Sequence, residues 1–196
     1  MSGAKDNPWK LLGVTKRFEN PWIGVEEHAV ADISGTRSGY GVVRFRKQGL
    51  GVVPIDGDGN LYLVGQWRYP LGRYLWEIPK GGGDPGEAPQ AAAQRELQEE
   101  LGLVATHWHG IGRFDMSTAV TDEQVTCFLA FGLSPCKPSP DAQEVLAERR
   151  LPFAEALALV RRGEISDAVS VVALLTVQAR ADAGDLPADL AACLRR

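Results

Sequence analysis

The chain reads GGGDPGEAPQAAAQRELQEELGL from residue 81 to residue 103. Alanine, leucine, glutamate and glutamine are strong helix formers, so this composition predicts a helix over residues 87–101. Pro89 is compatible with that helix only in its first turn, where the missing N–H costs nothing. Gly102 supplies the stop at the carboxyl end. A glycine-rich loop therefore leads directly into a strongly predicted helix.

Three acidic side chains share one face of this helix, because Glu96, Glu99 and Glu100 stand at positions i, i+3 and i+4. Like charges at that spacing destabilise an isolated helix, so the cluster is favourable when divalent cations neutralise it. Carboxylate oxygens without a nearby thiol or paired imidazole suit Mg²⁺, or Mn²⁺ as its substitute, rather than Zn²⁺. From the triplet alone, a solvated acidic helix face remains the alternative. The preceding glycines favour a site, since a loop without side-chain bulk can present amides to phosphate or a carbonyl to a metal.

The spacing of these residues resembles the complete Nudix box. Gly81 is followed after five residues by Glu87 and after seven more by RELQEELGL at residues 95–103. Every defined position of the pattern G, five residues, E, seven residues, R-E-apolar-any-E-E-any-G-apolar is matched. The resemblance implies an α/β fold, namely a Nudix α/β/α sandwich around a mixed sheet with an N-terminal antiparallel β arm.

Two further stretches are similar to the branch of that family that hydrolyses ADP-ribose and nucleoside diphosphate sugars. WEIP at residues 76–79 resembles its Glu-Leu-Pro element, and QWRYP at residues 66–70 resembles its Gln-aromatic-Arg strand. The resemblance implies that Arg68 binds the diphosphate. Trp67 alternates with it, so it faces the other way to stack on a base or fill a dimer interface. Glu77 either contacts a base or ribose or simply pairs with a cation.

The resemblance also implies roles within the box. Glu96 and Glu100 are the first-choice metal ligands, Glu99 is the next, and the Lys80 backbone carbonyl is a further ligand. Glu99 and Glu100 are also expected to be catalytic, while Arg95 orients a neighbouring glutamate by a salt bridge. The positions expected to be structural are Gly81, Glu87, Arg95 and Gly102.

One more catalytic glutamate is implied outside the box. In the branch that this chain resembles, it comes from a mobile loop before the penultimate helix. Glu144 is the matching position and Glu148 is the alternative; an exposed loop charge is the other interpretation of Glu144. The Pro- and Ser-rich stretch SPCKPSPDAQ at residues 134–143 suits a lid that closes over bound substrate.

The segment MSTAVTDE at residues 116–123 bears on the substrate. Members that prefer ADP-ribose commonly carry a proline there, whereas this chain has Thr118 and Ala119. The segment is more similar to that of broader nucleoside diphosphate sugar hydrolases. Glu123 is expected to join the site of the same or a partner subunit.

The resemblance implies Mg²⁺-dependent hydrolysis of the diphosphate bond of nucleoside diphosphate sugars. The expected substrates are of the ADP-ribose, GDP-mannose or ADP-glucose type, and the products are nucleoside monophosphate and sugar phosphate. A pyrophosphatase acting on nucleoside triphosphates or RNA caps is the alternative. A non-catalytic nucleotide sensor is less favoured, because the chain keeps every box glutamate and leaves no room for a helix-turn-helix.

Composition limits the partners. A net charge of -4 and a pI near 5.4 argue against a nucleic-acid binder, whose phosphate contacts need clustered Lys and Arg. Three widely spaced cysteines suggest reduced thiols rather than disulfides. We expect no signal peptide, since MSGAKDNPWK at the start has no apolar core, and no membrane span. The chain is therefore predicted to be cytoplasmic.

Strand-forming runs separated by turns fill residues 9–79, with further strands predicted near 104–114 and 123–132 and helices near 152–163 and 167–181. Three regions are expected along the chain. They are an N-terminal β arm that dimerises the protein at 1–38, a Nudix hydrolase domain at 39–184 and a loosely ordered tail at 185–196.

Overall fold

The computed structural model describes residues 6–137 and 146–194. The chain divides into two compact units, Met1–Lys47 with Asp115–Gln124, and Gln48–Phe114 with Val125–Arg196. The first unit extends past the predicted arm boundary at residue 38, and it also contains a second segment that the sequence did not suggest. Within the described part of the chain, no helix is long and apolar enough to cross a membrane.

The first unit is a three-stranded antiparallel sheet of β1 (Lys10–Glu19), β2 (Ile23–Ala31) and β3 (Arg37–Phe45). Asn20 makes the β1–β2 turn, because its side-chain oxygen accepts two backbone N–H groups at 2.9 and 2.7 Å. The arm continues beyond residue 38 because β3 pairs with β2 along its full length. The segment from Asp115 to Gln124 is attached to β3 by the hydrogen bond from the Val43 N–H to the Val120 oxygen at 2.8 Å.

The second unit is built on a seven-stranded mixed sheet. Its strand order is β10-β5-β4-β9-β8, with β6 paired to β5 and β7 paired to β4; β4 and β9 run parallel. The strands are β4 (Gln48–Ile55), β5 (Asn60–Arg68), β6 (Arg73–Glu77), β7 (Lys80–Gly83), β8 (Leu103–Asp115), β9 (Gln124–Pro135) and β10 (Ala147–Pro152).

Four helices accompany this sheet: α1 (Pro89–Leu101), α2 (Phe153–Arg161), α3 (Ala168–Ala183) and α4 (Ala188–Leu194). Helix α1 starts with Pro89 in its first turn and ends at Gly102, whose φ of 60° is left-handed. It begins two residues after the predicted Glu87, because Ala88 precedes Pro89 and is extended, with φ -64° and ψ 134°, so it serves as the N-cap. Proline and glycine therefore delimit the site-bearing helix.

Strand β4 is covered on both faces. Leu50 and Val52 lie in one apolar cluster with Leu97 of α1. A Cβ added to Gly51, between them, would lie 3.2 Å from Val169 of α3. Because successive strand residues point to opposite faces, α1 and α3 cover opposite sides of the sheet. The predicted α/β fold with a mixed sheet and an antiparallel N-terminal sheet is confirmed.

The carboxyl end differs from the loosely ordered tail predicted for residues 185–196. Helix α4 forms there, and its Leu190 and Leu194 are buried together with the preceding Leu186. The Cys193 thiol donates to the Gly57 carbonyl oxygen at 3.2 Å. Leucines four residues apart form one helical stripe, which is the apolar face that orders this segment.

Candidate active site

The three predicted carboxylates lie on α1, and one arginine bridges two of them. Arg95 Nη1 lies 2.8 Å from Glu96 Oε1 and 2.8 Å from Glu99 Oε2. Its Nη2 donates to the Gly82 carbonyl oxygen at 3.0 Å and to Glu87 Oε2 at 3.3 Å. A guanidinium can serve these partners at once because its N–H groups form a rigid planar fork. Two of the like charges along the helix thus share one cation.

Strand β7 approaches the carboxylates closely with its backbone. A Cβ on Gly81 would lie 2.1 Å from Glu96 Cδ, so this approach requires glycine. The N–H of Lys80, the residue before Gly81, donates to Glu100 Oε2 at 3.1 Å. Two of the three glutamates are therefore positioned directly against β7.

Glu87 lies at the junction between β7 and α1. Its Oε2 accepts the Asp84 N–H at 3.0 Å, and both of its oxygens face Arg95. The hydrogen bond from Arg95 holds the pKa of Glu87 below its ordinary value. Burial alone would lower the pKa of Arg95, but the bonded glutamates outweigh it and raise that pKa. Both groups stay charged at neutral pH, so their ion pair holds the β7–α1 connection against α1.

A second chain of charges runs from β5 to α3. Arg68 Nε and Nη2 donate to Glu77 Oε2 at 2.9 and 2.7 Å. Glu77 is only 1% exposed, and its other oxygen accepts the Lys80 ammonium at 3.1 Å. That ammonium also donates to Asp167. Both carboxylate oxygens of Glu77 are thus paired with cations, Oε2 with Arg68 and Oε1 with Lys80.

Asp167 and Ser170 complete this chain, and sequence reasoning missed both. Asp167 is the N-cap of α3 and accepts the Ser170 N–H at 2.9 Å and its hydroxyl at 2.8 Å. Burial raises the pKa of Asp167, but the Lys80 ammonium and the Ser170 hydrogen bonds outweigh burial and hold that pKa below its ordinary value. An aspartate just before an apolar helix signals an N-cap, but it does not signal the charged partner.

The thiol of Cys127 lies in the same neighbourhood, since a Cβ on Gly51 would be 3.1 Å from its sulfur and 3.1 Å from Ile78. Burial, and after it the charge of Asp167, raises the pKa of Cys127 to about 12. A thiol that stays protonated at neutral pH is a poor nucleophile. The site therefore offers carboxylate chemistry rather than cysteine chemistry.

The donor set fits a hard divalent cation. Glu96, Glu99 and Glu100 offer carboxylate oxygens and β7 offers carbonyl oxygens, the ligands that Mg²⁺ and Mn²⁺ prefer. Across residues 6–137 and 146–194, no three His, Cys, Asp or Glu side chains converge into a preformed metal cage. Arg95 lies between two of the carboxylates and bonds both of them.

Two other predicted residues lie on neighbouring strands. Trp67 is 62% exposed on β5, where it pairs with Tyr74 of β6. Glu148 lies on β10 opposite Val64, whose other cross-strand neighbour is Glu77. The alternative to the loop glutamate is therefore a strand residue. The first choice, Glu144, falls outside the described residues.

Glu123 belongs to the first unit. Its carbonyl oxygen accepts the Met116 N–H at 3.0 Å, and its own N–H donates to Thr121 Oγ1 at 3.0 Å. The adjacent Asp122 accepts the Phe45 N–H at 3.1 Å and Arg44 Nη1 at 3.1 Å. The proline-free segment is thus ordered by its own turn and by β3.

Comparison with known proteins identifies the family. The NUDIX domain model matches residues 45–175, which is more than half of the chain. The chain therefore belongs to the Nudix family of hydrolases, and the resemblance carried by the box is confirmed.

Named relatives narrow the class further. The chain is 38% identical over 134 residues to the ADP-ribose pyrophosphatase of Mycobacterium tuberculosis (strain ATCC 25618 / H37Rv), covering 66% of this chain and 64% of that protein. It is 30% identical over 179 residues to the ADP compounds hydrolase NudE of Escherichia coli (strain K12), covering 91% and 95%. A crystal structure of an ADP compounds hydrolase superimposes with a TM-score of 0.84 at 24% identity, over 93% of this chain and 98% of that one. That last likeness shows the fold.

Proposed function

We propose that this protein hydrolyses the diphosphate bond of nucleoside diphosphate sugars, with ADP-ribose and related ADP compounds as its main substrates. The observation that carries the proposal is the contact between β7 and α1, where Gly81 lies against Glu96 and the Lys80 N–H bonds Glu100. This contact sets carboxylates beside a backbone that carries little side-chain bulk. The names of the relatives from Mycobacterium tuberculosis and Escherichia coli support the substrate class.

Glu96, Glu99, Glu100 and the Lys80 carbonyl would hold Mg²⁺, with Mn²⁺ as a substitute. A bound cation supplies neutralisation of the phosphate oxygens and a lowered pKa for the attacking water. Arg95 keeps the carboxylates oriented through its bonds to Glu96 and Glu99. The box would thus hold the cation that neutralises a linkage whose negative oxygens otherwise repel a nucleophile.

Arg68 would bind the diphosphate directly. Its side chain is partly exposed, and Glu77 holds one edge of the guanidinium through two hydrogen bonds. Water attacks one phosphorus, the bridging P–O bond breaks, and nucleoside monophosphate and sugar phosphate leave. We assign the proton-accepting role to Glu144, with Glu148 as the alternative, and turnover by the Glu144→Gln and Glu148→Gln variants distinguishes them.

The substrate range includes a second candidate set. The proline-free segment at residues 116–123 favours nucleoside diphosphate sugars such as GDP-mannose and ADP-glucose in addition to ADP-ribose. A phosphate-release screen with Mg²⁺ over these three compounds, UDP-glucose and nucleoside triphosphates, coupled to a phosphatase, tests both. Turnover of ADP compounds supports the proposal. Turnover of triphosphates alone favours the nucleoside triphosphate or RNA-cap pyrophosphatase, and no turnover of any compound favours a nucleotide sensor.

Replacement of one box carboxylate tests the metal assignment. Glu100→Gln keeps the shape of the side chain but removes its charge, so we expect turnover to fall by more than the roughly 10- to 100-fold loss typical of an outer-shell partner. Glu155→Gln is the matched control, because Glu155 lies half-exposed on α2 and pairs with Arg149. Retained turnover by Glu100→Gln, measured as phosphate release at saturating Mg²⁺, would refute the assignment.

A further inference from the structure

Helix α3 is attached to the β6–β7 connection on both sides of Pro79. On one side, the Ile78 N–H donates to Ser170 Oγ at 3.0 Å. On the other side, the Lys80 ammonium donates to the Asp167 carboxylate. Ser170 and Asp167 are themselves joined, because the Ser170 hydroxyl donates to Asp167 Oδ2 at 2.8 Å. The amino end of α3 is therefore bonded to Ile78 and Lys80, the two residues that flank Pro79.

The contact between α3 and Lys80 is mostly buried, and it belongs to a chain of side chains whose charges alternate. Arg68, Glu77, Lys80 and Asp167 follow one another as plus, minus, plus and minus along a chain of ion pairs. Ser170 is fully buried, and Lys80 and Asp167 are largely buried. Removing one member of such a chain leaves its partner as an uncompensated charge in a poorly solvated position. The Lys80 ammonium is therefore held in place more firmly than a surface lysine.

The residue that α3 grips also orients a box glutamate. The Lys80 N–H donates to Glu100 Oε2 at 3.1 Å, and the Pro79 carbonyl oxygen accepts the Val52 N–H at 2.9 Å. The peptide group between Pro79 and Lys80 is thus bonded on both sides. A displacement of the Lys80 side chain would rotate this peptide and move the hydrogen bond away from Glu100.

We propose that Asp167 is a positioning residue for catalysis. It clamps the Lys80 ammonium and so holds the β7 backbone that orients Glu100, although it lies on α3 and outside the box. This inference rests on the proposed function, because it requires Glu100 to serve the reaction. It also assigns the Lys80 side chain to the scaffold, since its ammonium is paired with two carboxylates.

The Asp167→Asn variant tests the clamp. Asparagine still caps a helix and still accepts the Ser170 N–H, but it loses the charge that attracts Lys80. Outer-shell partners typically contribute roughly 10- to 100-fold to activity or metal affinity, so we expect kcat to fall by that factor with little change in KM. Asp182→Asn is the matched control, since Asp182 is exposed on the same helix and bonds Gln178. Asp167→Ser, another good cap, serves if the asparagine variant does not fold.

A double variant shows whether Asp167 acts through Lys80. We expect the kcat of the double variant, Lys80→Met with Asp167→Asn, to be no lower than that of Lys80→Met alone. Both changes break the same ion pair, so their effects should not add. Losses that multiply, or an Asp167→Asn loss confined to KM, would overturn the proposal. Mn²⁺ affinity measured without substrate by electron paramagnetic resonance should weaken in the same non-additive way. If the wild-type protein hydrolyses none of the nucleoside diphosphate sugars, the proposed function fails, while the Mn²⁺ affinities still decide this inference.

Discussion

At the residue scale, the site depends on an absent side chain as much as on the side chains that are present. Gly81 lies so close to Glu96 that a methyl group would overlap the carboxylate. The overlap involves a mostly buried carboxyl group rather than the flexible end of an exposed chain. Glu96 is additionally bound to Arg95 at 2.8 Å, so moving it also strains the bridge to Glu99.

The Gly81→Ala variant should therefore fold and lose activity. We expect Glu96 to be displaced and kcat to fall by at least about 10-fold, as for other changes that misplace a ligand. Gly110→Ala is the control, because a Cβ at Gly110 meets nothing within 4 Å. The rate of phosphate release and the unfolding temperature, measured for both variants, check this expectation. Wild-type turnover by Gly81→Ala would show that Glu96 is not needed where the structure places it.

Spacing explains which site residues the sequence could reveal. Glu96, Glu99 and Glu100 belong to one helix, and a three- and four-residue interval reports a shared face without any tertiary information. The contact between Lys80 and Asp167 joins positions 87 residues apart, so no local period reports it. Pairing with a cation was one of two alternatives for Glu77, but the sequence could not name Arg68 as that cation, because the strand register sets Arg73 rather than Glu77 opposite Arg68.

At the element scale, the sequence predicted helices whose ends are marked by proline or glycine. It did not predict strands that form only because a neighbouring strand pairs with them. Helix α1 has proline at its start and glycine at its end, and both act through backbone geometry alone. Strand β7 is Lys-Gly-Gly-Gly, and it is a strand because β4 supplies its partner. Strand β10 carries adjacent arginines and pairs with β5 along its whole length. Helix α4 was missed although its leucine stripe was readable.

The turn between β4 and β5 contains a carboxylate whose pKa predicts a pH-dependent stability. Burial raises the pKa of Asp56, but the Asn60 N–H, Arg150 and the Asp58 N–H outweigh burial and leave that pKa below its ordinary value. A depressed pKa means that ionised Asp56 stabilises the fold above the ordinary aspartate value of about 3.9. The contribution is lost as the pH falls through the lower pKa of the folded state.

We therefore expect Asp56→Asn to lower the free energy of unfolding by about 1–3 kcal/mol at pH 7, as for other hydrogen bonds to charged groups. The difference in the free energy of unfolding between the variant and the wild type should shrink as the pH falls below about 3.9. Asp58→Asn is the control, because Asp58 bonds the same Arg150 at 3.2 Å but is largely exposed. Urea unfolding between pH 7 and pH 3 measures both. A gap that is constant with pH would show that the charge of Asp56 does not stabilise the turn.

At the scale of the whole molecule, the first unit exposes more apolar surface than a lone sheet in water favours. Every residue of β1 is exposed, including several large apolar side chains. Large contiguous apolar surface marks an interaction site on a soluble protein. The large apolar side chains exposed on β1 and its flanks are Trp9, Leu11, Leu12, Val14, Phe18 and Trp22.

We propose that a second copy of the chain covers this strand, so that the protein is a homodimer. Light scattering at micromolar concentration should give twice the chain mass of 21.2 kDa. Replacing Leu11 and Val14 together by aspartate should yield a monomer, because two charges cannot be buried in an apolar interface without partners. Thr15→Asp is the control, because the register shift between Leu11 and Gly13 sets Leu11 and Val14 on one face of β1 and Thr15 on the other. A wild-type mass of one chain would refute the dimer, and a dimer that survives the double change would place the interface elsewhere on the molecule.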